Sequence, residues 1–361
     1  MRRVQLVAGF GALGLLLGTS AALAATGGPD AHEKPWNAAP STTILQESRT
    51  FRSGDATLSG TLYLPAGARP RGAIVVFHGA SSPLRSSPLY THLKEMLPPL
   101  GVAVFVYDRR GAGLSGGDLK TSGYPMLADD GIAAVGMLAK DPRIDPKRIG
   151  VWGLSQGGWL SLLAASRDPQ IAFAVSISAP VVTPDVQMMF SSTNSLRVNG
   201  YGQGDIDEMI ATRKAVDDYM RGTGDRATAQ SRLDAAKIKP WFKYLYMDDK
   251  VGDRATSRWR KEIEHDPLAT LKSVRAPTLV IFGATDPVVP VAASVERIHA
   301  FSRTHPKLNL VVVASADHGM QTAVSAKTLL DPANKDAERP DAPEYFGLLA
   351  SWLTRIGVAR Q

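Results

Sequence analysis

The chain has 361 residues, of which 44% are hydrophobic and 21% charged, and it carries a formal net charge of +7 and no cysteine. This length accommodates one large domain with an insertion, or two domains. The missing cysteines exclude disulfides, cysteine nucleophiles and thiolate metal sites, and the sequence shows no dense Lys/Arg stripe of the kind that marks nucleic-acid binding.

The first 25 residues have the pattern of an export signal. Arg2 and Arg3 form a short positive region, residues 4–17 are apolar, and "SAALAA" supplies a cleavage site near Ala24. The apolar run is too short to favour a stable membrane span, although an uncleaved anchor is the alternative. We therefore predict an exported protein, periplasmic or secreted, with a net charge of +5 and no stable membrane span after cleavage.

Residues 26–42 are rich in Gly, Pro and polar side chains, so we expect a disordered tether. Residues 43–65 alternate apolar and polar positions on both sides of "RSGD". This period-two pattern predicts two antiparallel strands.

Later strands have a different pattern, because their apolar residues are continuous, as in a parallel sheet buried on both faces. The runs are "GAIVVFH", "VAVFVYD", "RIGVWG", "IAFAVSISAP", "APTLVIFG" and "LNLVVVAS". Helical patterns separate most of them: "SPLYTHLKEMLPPL", "YPMLADDGIAAVGMLAKD", "SQGGWLSLLAASRD" and "VAASVERIHAFSR", and a capped amphipathic helix follows Asp341 and Pro343. Repeated β-then-α units predict an α/β fold with a doubly wound, mostly parallel sheet preceded by antiparallel strands.

Residues 183–265 lack the parallel-strand pattern and show helical periodicity instead. An interval of this length is too long for a loop, so we predict a helical cap inserted between core segments 43–182 and 266–358. Met and aromatic residues of the cap are candidates for a substrate pocket, with ordinary cap packing as the alternative. These residues are Met188, Met189, Phe190, Trp241 and Phe242.

"GLSQG", residues 153–157, follows a predicted strand and opens a predicted helix. That context matches a nucleophile elbow, in which Gly153 and Gly157 must be small to clear the strained turn around Ser155. The alternative is an ordinary tight strand-to-helix turn.

A serine nucleophile needs a base and an acid that orients the base. His318 in "ASADHGM" follows the last apolar strand, at the carboxyl edge where open α/β sheets bind ligands. Asp286 in "GATDPVVP" follows the preceding strand, whereas Asp317 is adjacent to His318 and poorly placed to face it. We expect the remaining histidines to be surface or structural residues, with His92, His299 and His305 on or beside surface helices and His78 shaping a loop.

Backbone N–H groups can stabilise the oxyanion that forms during acyl transfer. The N–H of Gln156 is one candidate, and we expect the loop after "IVVFH" to supply a second, the N–H of Ala80. No clustered His and carboxylate spacing suggests a metal, so we expect no metal or other cofactor.

The blocks "VVFHGASS", "VFVYDRRGAGLSGG", "IDPKRIGVWGLSQGGW", "DPLATLKSVRAPTLVIFGATDPVVP" and "ADHG" together resemble the α/β-hydrolase superfamily. The likeness is to its bacterial serine esterase, lysophospholipase-like and serine aminopeptidase-like branch, over roughly residues 43–358 apart from the cap. The resemblance implies an α/β-hydrolase fold, a triad of Ser155, Asp286 and His318, and oxyanion donors at Ala80 and Gln156. The polar segment 323–345 is longer than a minimal hydrolase needs.

Three functions are compatible with these residues. The leading hypothesis is a carboxylesterase that cleaves short to medium acyl esters, with a small-molecule ester as its partner. The second is a serine exopeptidase or amidase, which would need a carboxylate in the cap to hold the ammonium of an aminoacyl substrate. The third is a non-catalytic binding protein with this fold, although an intact triad argues against it.

Overall fold

The computed structural model describes residues 43–66, 72–331 and 339–360. The predicted export signal and tether lie outside the described residues, as does part of segment 323–345.

The described strands form one sheet of eight. They are β1 (Ile44–Ser53), β2 (Ala56–Pro65), β3 (Gly72–Phe77), β4 (Val102–Tyr107), β5 (Ile149–Leu154), β6 (Ala174–Ile177), β7 (Thr278–Gly283) and β8 (Leu308–Val313). Their spatial order is β1-β2-β4-β3-β5-β6-β7-β8. The β1–β2 and β2–β4 pairs are antiparallel and all later pairs are parallel, which confirms the predicted fold class.

Eleven α-helices are present in the described ranges. They are α1 (Thr91–Met96), α2 (Tyr124–Leu138), α3 (Gln156–Arg167), α4 (Pro184–Val198), α5 (Gln203–Arg221), α6 (Arg226–Ala236), α7 (Arg258–Glu262), α8 (Pro267–Ser273), α9 (Val291–Ser302), α10 (Ala326–Leu329) and α11 (Pro343–Arg355).

Apolar side chains cover both faces of the sheet. On one face, Phe77 and Val151 pack in a cluster with α2, α3 and α9, and on the other Trp152 packs with Tyr345 and Leu349 of α11. The central strands β3, β4, β5 and β7 are buried at every position. This double burial explains why their sequences are continuously apolar.

Two helix predictions need correction. The pattern over residues 87–100 gives only a short α-helix, α1, between two 3₁₀ turns, because Pro98 and Pro99 lack the N–H groups that would continue the α-helix. The last helix, α11, has Ala342 at its N-cap and therefore lacks the expected side-chain cap. Pro343 at its first position compensates in part, since its fixed φ suits the first helical turn.

Helices α4 to α7 lie between β6 and β7 in the chain, and we call residues 184–262 the α4–α7 segment. It has its own apolar cluster, which includes Leu196, Met209 and Trp241. Two side chains of α4 reach the loop after β7: Gln187 donates to the carbonyl of Val288 at 3.2 Å and Asn194 to that of Pro287 at 3.0 Å. The segment therefore contacts the carboxyl edge of the sheet.

Candidate active site

Four loops at the carboxyl edge of the parallel strands carry the residues singled out in the sequence. Ser155 directly follows β5, Asp286 follows β7, His318 follows β8 and Ala80 follows β3. Because parallel strands end at the same edge, this topology brings together residues that are far apart in sequence.

Ser155 lies at a strained turn between β5 and α3. Its backbone has φ 56° and ψ −122°, a conformation that residues with a Cβ rarely adopt. A Cβ at Gly153 would lie 1.9 Å from the carbonyl oxygen of Gly157, and one at Gly158 would lie 2.5 Å from Cβ of Ala179. The turn therefore requires glycine on both sides of Ser155, as the elbow interpretation predicted for Gly153 and Gly157.

Asp286 and His318 form a hydrogen-bonded pair. His318 Nδ1 lies 2.7 Å from Asp286 Oδ2, and Asp286 Oδ1 accepts hydrogen bonds from the N–H groups of Val288 at 2.8 Å and Val289 at 3.1 Å. Burial lowers the pKa of His318, but the charge and hydrogen bond of Asp286, assisted by the charge of Asp317, outweigh it and raise that pKa above its ordinary value. The pair fixes the imidazole so that Nε2 is the ring nitrogen left to accept a proton.

Ser155 is partly exposed, and no hydrogen bond joins its hydroxyl to His318 among the described residues. Catalytic hydrogen bonds are often long in unliganded hydrolases and shorten in the substrate complex.

The Gln156 and Ala80 N–H groups have no hydrogen-bond acceptor within the described ranges. Gly157 packs so tightly on the end of β3 that a Cβ there would lie 2.5 Å from the carbonyl oxygen of Phe77. This contact brings the first turn of α3 beside the loop that contains Ala80. The two free N–H groups are therefore available to bind an anion.

Arg109 organises the loop that carries Ala80. Its guanidinium is 1% exposed, and Nη2 donates to the carbonyl oxygens of His78 at 2.7 Å and Gly79 at 2.8 Å. Because these two carbonyls are held by one side chain, the orientation of the following Ala80 N–H is fixed. No local sequence pattern predicts this contact, because Arg109 follows β4 whereas Ala80 follows β3.

Other histidines are structural. His78 is buried and contacts the carbonyl oxygen of Tyr107, and burial lowers its pKa to about 3. The expectation that His92 lies at the surface is wrong, because the side chain is buried and its Nε2 lies 3.0 Å from the hydroxyl of Tyr345. His305 contacts the carbonyl oxygen of Lys272 at 2.9 Å.

The candidate pocket residues have different environments. Met189 and Phe190 line a surface cavity of about 300 Å³ on α4, and the neighbouring Met188 is half-buried. Trp241 is fully buried in the core of the α4–α7 segment and donates to Asp205 at 3.2 Å. Its assignment to a substrate pocket is therefore wrong, and the half-buried Phe242 packs against the same core cluster.

A polar cluster beside Gln156 was not foreseen from the sequence. The Gln156 amide donates to the Tyr124 hydroxyl at 3.5 Å and accepts from Arg258 Nη2 at 3.4 Å. Arg258 Nε in turn donates to Glu262 at 2.6 Å. The spacing of four residues makes the Arg258–Glu262 pair visible in the sequence, but its position beside Gln156 depends on how α7 packs.

Asp317, next to His318, anchors the loop. It is 1% exposed, accepts from the N–H groups of Gly319 and Gln321, and forms an ion pair with Arg339. Asp317 is thus committed to the loop, and Asp286 is the carboxylate that contacts the imidazole.

Within the described ranges, no group of three or more His, Asp or Glu side chains is arranged to hold a metal ion. In the same ranges, no helix combines the length and the hydropathy that a membrane crossing requires.

The sequence profile of a family described as "Serine aminopeptidase, S33" matches residues 68–322. Thiohydrolase apmlB of Arthrinium phaeospermum is 35% identical over 141 residues, which cover 38% of this chain but only 44% of that protein. The quorum-quenching protein AidA of Acinetobacter baumannii is 31% identical over 247 residues, which cover 66% of this chain and 78% of AidA.

A similar fold occurs in an esterase of Pyrococcus furiosus. The two structures align with a TM-score of 0.54 and 18% identity, over 86% of this chain and 91% of the esterase. At this identity the likeness concerns the fold.

Proposed function

Since the chain belongs to the serine aminopeptidase S33 family of α/β-hydrolases, we propose that it is a carboxylesterase that cleaves short to medium acyl esters through an acyl-enzyme on Ser155. The main support is the Asp286–His318 pair, with 2.7 Å between carboxylate and imidazole, at the same sheet edge as the strained Ser155 turn. An ion pair with only a structural role would not require a serine in a strained backbone conformation at the same sheet edge. The combination therefore supports a catalytic role for the three residues.

The proposed reaction has two halves, formation and hydrolysis of the acyl-enzyme, and His318 acts as base and then as acid in each. His318 Nε2 takes the proton from Ser155 Oγ, which attacks the ester carbonyl carbon. The N–H groups of Ala80 and Gln156 stabilise the resulting oxyanion. The imidazolium, held by Asp286, then protonates the departing alcohol. Water attacks the acyl-enzyme with His318 again acting as base, and the bond to Ser155 Oγ breaks as the imidazolium returns the proton to Oγ and the carboxylic acid is released.

An aminoacyl substrate is the alternative, and it would require a free carboxylate near the site. Two buried carboxylates of the α4–α7 segment are engaged in other contacts: Asp217 accepts from the Trp259 indole at 2.7 Å, and Glu262 binds Arg258. The side chain that contacts Gln156 is the cationic Arg258. A cation at this place disfavours a substrate ammonium, so esters rank first.

Thioesters are a second substrate class for the same chemistry, because their carbonyl is also open to attack by Ser155 and the thiolate leaves readily. Similarity to thiohydrolase apmlB favours testing this class. Because the chain spans less than half of that relative, this activity too is a proposal.

We propose that residues 183–265 act as a cap over this site, between core segments 43–182 and 266–358. The hydrogen bonds from α4 to the Pro287 and Val288 carbonyls support a direct effect of the cap on the loop of Asp286. Replacing Asn194 by Ala is expected to change the acyl-chain preference more than the rate with an acetate ester.

We also propose that residues 1–25 direct export and are removed near Ala24. N-terminal sequencing of the protein recovered from the periplasm or medium of a bacterial host is expected to give a chain that begins next to Ala24. Recovery of the intact chain in the membrane fraction would instead indicate an uncleaved anchor.

The test compares p-nitrophenyl esters from acetate to octanoate with aminoacyl anilides and acyl thioesters. We expect ester turnover, covalent labelling by a fluorophosphonate, and loss of both in Ser155→Ala. Ser166→Ala is the matched control, because Ser166 lies in α3, the helix that follows Ser155, and its hydroxyl donates to the Leu163 carbonyl. Turnover of anilides without esters would favour the exopeptidase, and no turnover or labelling at all would favour a binding protein.

A further inference from the structure

The side chain of Gln156 separates the candidate oxyanion site from a group of charged residues. Its amide contacts the Tyr124 hydroxyl on one side and Arg258 Nη2 on the other, at 3.5 and 3.4 Å. Both distances are at the long limit for hydrogen bonds. Nη2 of Arg258 is therefore only weakly engaged, although it contacts the side chain of the residue that follows Ser155.

Positive charge is in excess in this cluster. Two guanidinium groups, those of Arg258 and Arg109, act electrostatically on the carboxylate of Glu262. Arg109 is 1% exposed, and its Nε is a buried donor with no partner among the described residues. Burial raises the pKa of Glu262 above its ordinary value, although the charges of Arg258 and Arg109 oppose this shift.

The cation of the ion pair is the accessible member. The Arg258 side chain is 26% exposed, compared with 7% for Glu262. Of the two charges, the guanidinium is therefore the one that a ligand can reach more readily. A guanidinium presents paired donors that match a carboxylate well.

The position of the cluster identifies the part of the substrate that it faces. Gln156 contacts Tyr124 at the start of α2, the helix between β4 and β5, whereas His318 follows β8 at the far end of the sheet. In the proposed reaction the alcohol leaves toward His318, which protonates it. The acyl chain therefore extends toward Gln156 and Arg258.

We propose that Arg258 binds a carboxylate at the end of the substrate's acyl chain, so that the preferred esters are half-esters of short dicarboxylic acids. This inference rests on the proposed esterase function. It makes Arg258 a specificity-determining residue. The buried Arg109 adds to the positive charge of the cluster.

The experiment uses two esters with the same acyl chain. One is the p-nitrophenyl half-ester of glutaric acid, which has a free carboxylate, and the other is the same compound with that carboxylate capped as a methyl ester. The measured quantity is the ratio of their kcat/KM values for release of p-nitrophenol, after subtraction of the spontaneous reaction. We expect the wild-type protein to prefer the half-ester.

Arg258→Gln is expected to lower this ratio about tenfold, the usual effect of losing one hydrogen bond to a charged group. Arg258→Lys is expected to restore part of the preference because it keeps the charge. Arg260→Gln is the matched control, since Arg260 lies on the same helix and forms the same type of i,i+4 pair, with Glu264 just beyond the helix end. It should leave the ratio unchanged.

The outcomes separate this inference from the proposed function. If wild type cleaves neither ester, or if Ser155→Ala cleaves both, the esterase assignment itself fails. If both esters are cleaved through Ser155 but the ratio is the same in Arg258→Gln and wild type, the carboxylate preference is overturned. Equal loss of both activities in Arg258→Gln and Arg258→Lys would show that Arg258 only supports the fold, and would overturn it as well.

Discussion

Gly157 and Phe77 approach each other so closely that a Cβ atom on Gly157 would lie 2.5 Å from the Phe77 carbonyl oxygen. This contact joins the first turn of α3 to the end of β3. It therefore sets the spacing between the Gln156 and Ala80 loops, and hence the proposed oxyanion site depends on a glycine that bears no functional group.

Gly157→Ala is expected to destabilise the protein by about 1–3 kcal/mol, because the new methyl group meets backbone rather than a movable side chain. Activity should fall as well, since the two loops must separate. Urea unfolding and kcat/KM measure the two effects. Gly136→Ala in α2 is the control: its Cβ meets nothing within 4 Å, and replacing a helical glycine there should stabilise by up to about 1 kcal/mol.

The pH dependence of kcat/KM should report His318. Its neutral form is the base, and Asp286 raises its pKa above the ordinary value of 6.5. We therefore expect activity to rise with pH and to reach half its maximum above pH 6.5. The raised pKa of His318 also contributes to the free energy of unfolding. This contribution is fully present below the pKa of His318 in the unfolded chain, and it is lost as pH rises through the pKa in the folded protein.

Asp286→Asn should move this acidic limb to lower pH, because burial then acts on the imidazole without an opposing charge. It should also lower kcat by an amount on the order of 10⁴, since the tautomer of His318 is no longer fixed. A profile that keeps its midpoint in Asp286→Asn would contradict the assignment of Asp286 as the orienting acid.

Arg109→Met should lower kcat by about ten- to a hundredfold with a smaller effect on KM, because the Ala80 N–H loses its fixed orientation and the oxyanion is bound less well. Steady-state kinetics, with thermal unfolding to monitor the fold, measure this. Arg85→Met is the comparison, since Arg85 donates to Ser59 at 2.9 Å and not to the carbonyls before Ala80. Equal effects of the two changes on kcat would contradict this role for Arg109.

A second arginine, Arg110, has a structural role away from the chemistry. It pairs with Asp130 at 2.6 Å, and both side chains are at most 3% exposed. Arg110→Gln should cost about 3–5 kcal/mol in urea unfolding, because it leaves a buried carboxylate without its partner. The exposed Arg167–Asp129 pair lies nearby, and Arg167→Gln should change stability by less than about 1 kcal/mol.

Much of the fold could be predicted from local patterns. Continuous apolar runs identified the parallel strands, because a strand buried on both faces needs an apolar residue at every position. The alternating pattern identified the N-terminal hairpin, because a strand buried on one face needs an apolar residue only at every second position. The helical pattern over residues 87–100 corresponds to a short α-helix between two 3₁₀ turns, because Pro98 and Pro99 cannot continue an α-helix. His92 was assigned to the surface because the residues around it in sequence do not indicate that α11 packs against it.

The sequence by itself determined the elbow around Ser155 and the order in which Ser155, Asp286 and His318 occur at strand ends, because strand order and turn chemistry are local properties. Only the tertiary structure decided that Arg109 holds the loop of Ala80, that Trp241 belongs to a core, and that Arg258 contacts Gln156. Each of these depends on contacts between segments far apart in the chain. Their geometry follows from how the helices pack on the sheet, which no local pattern encodes.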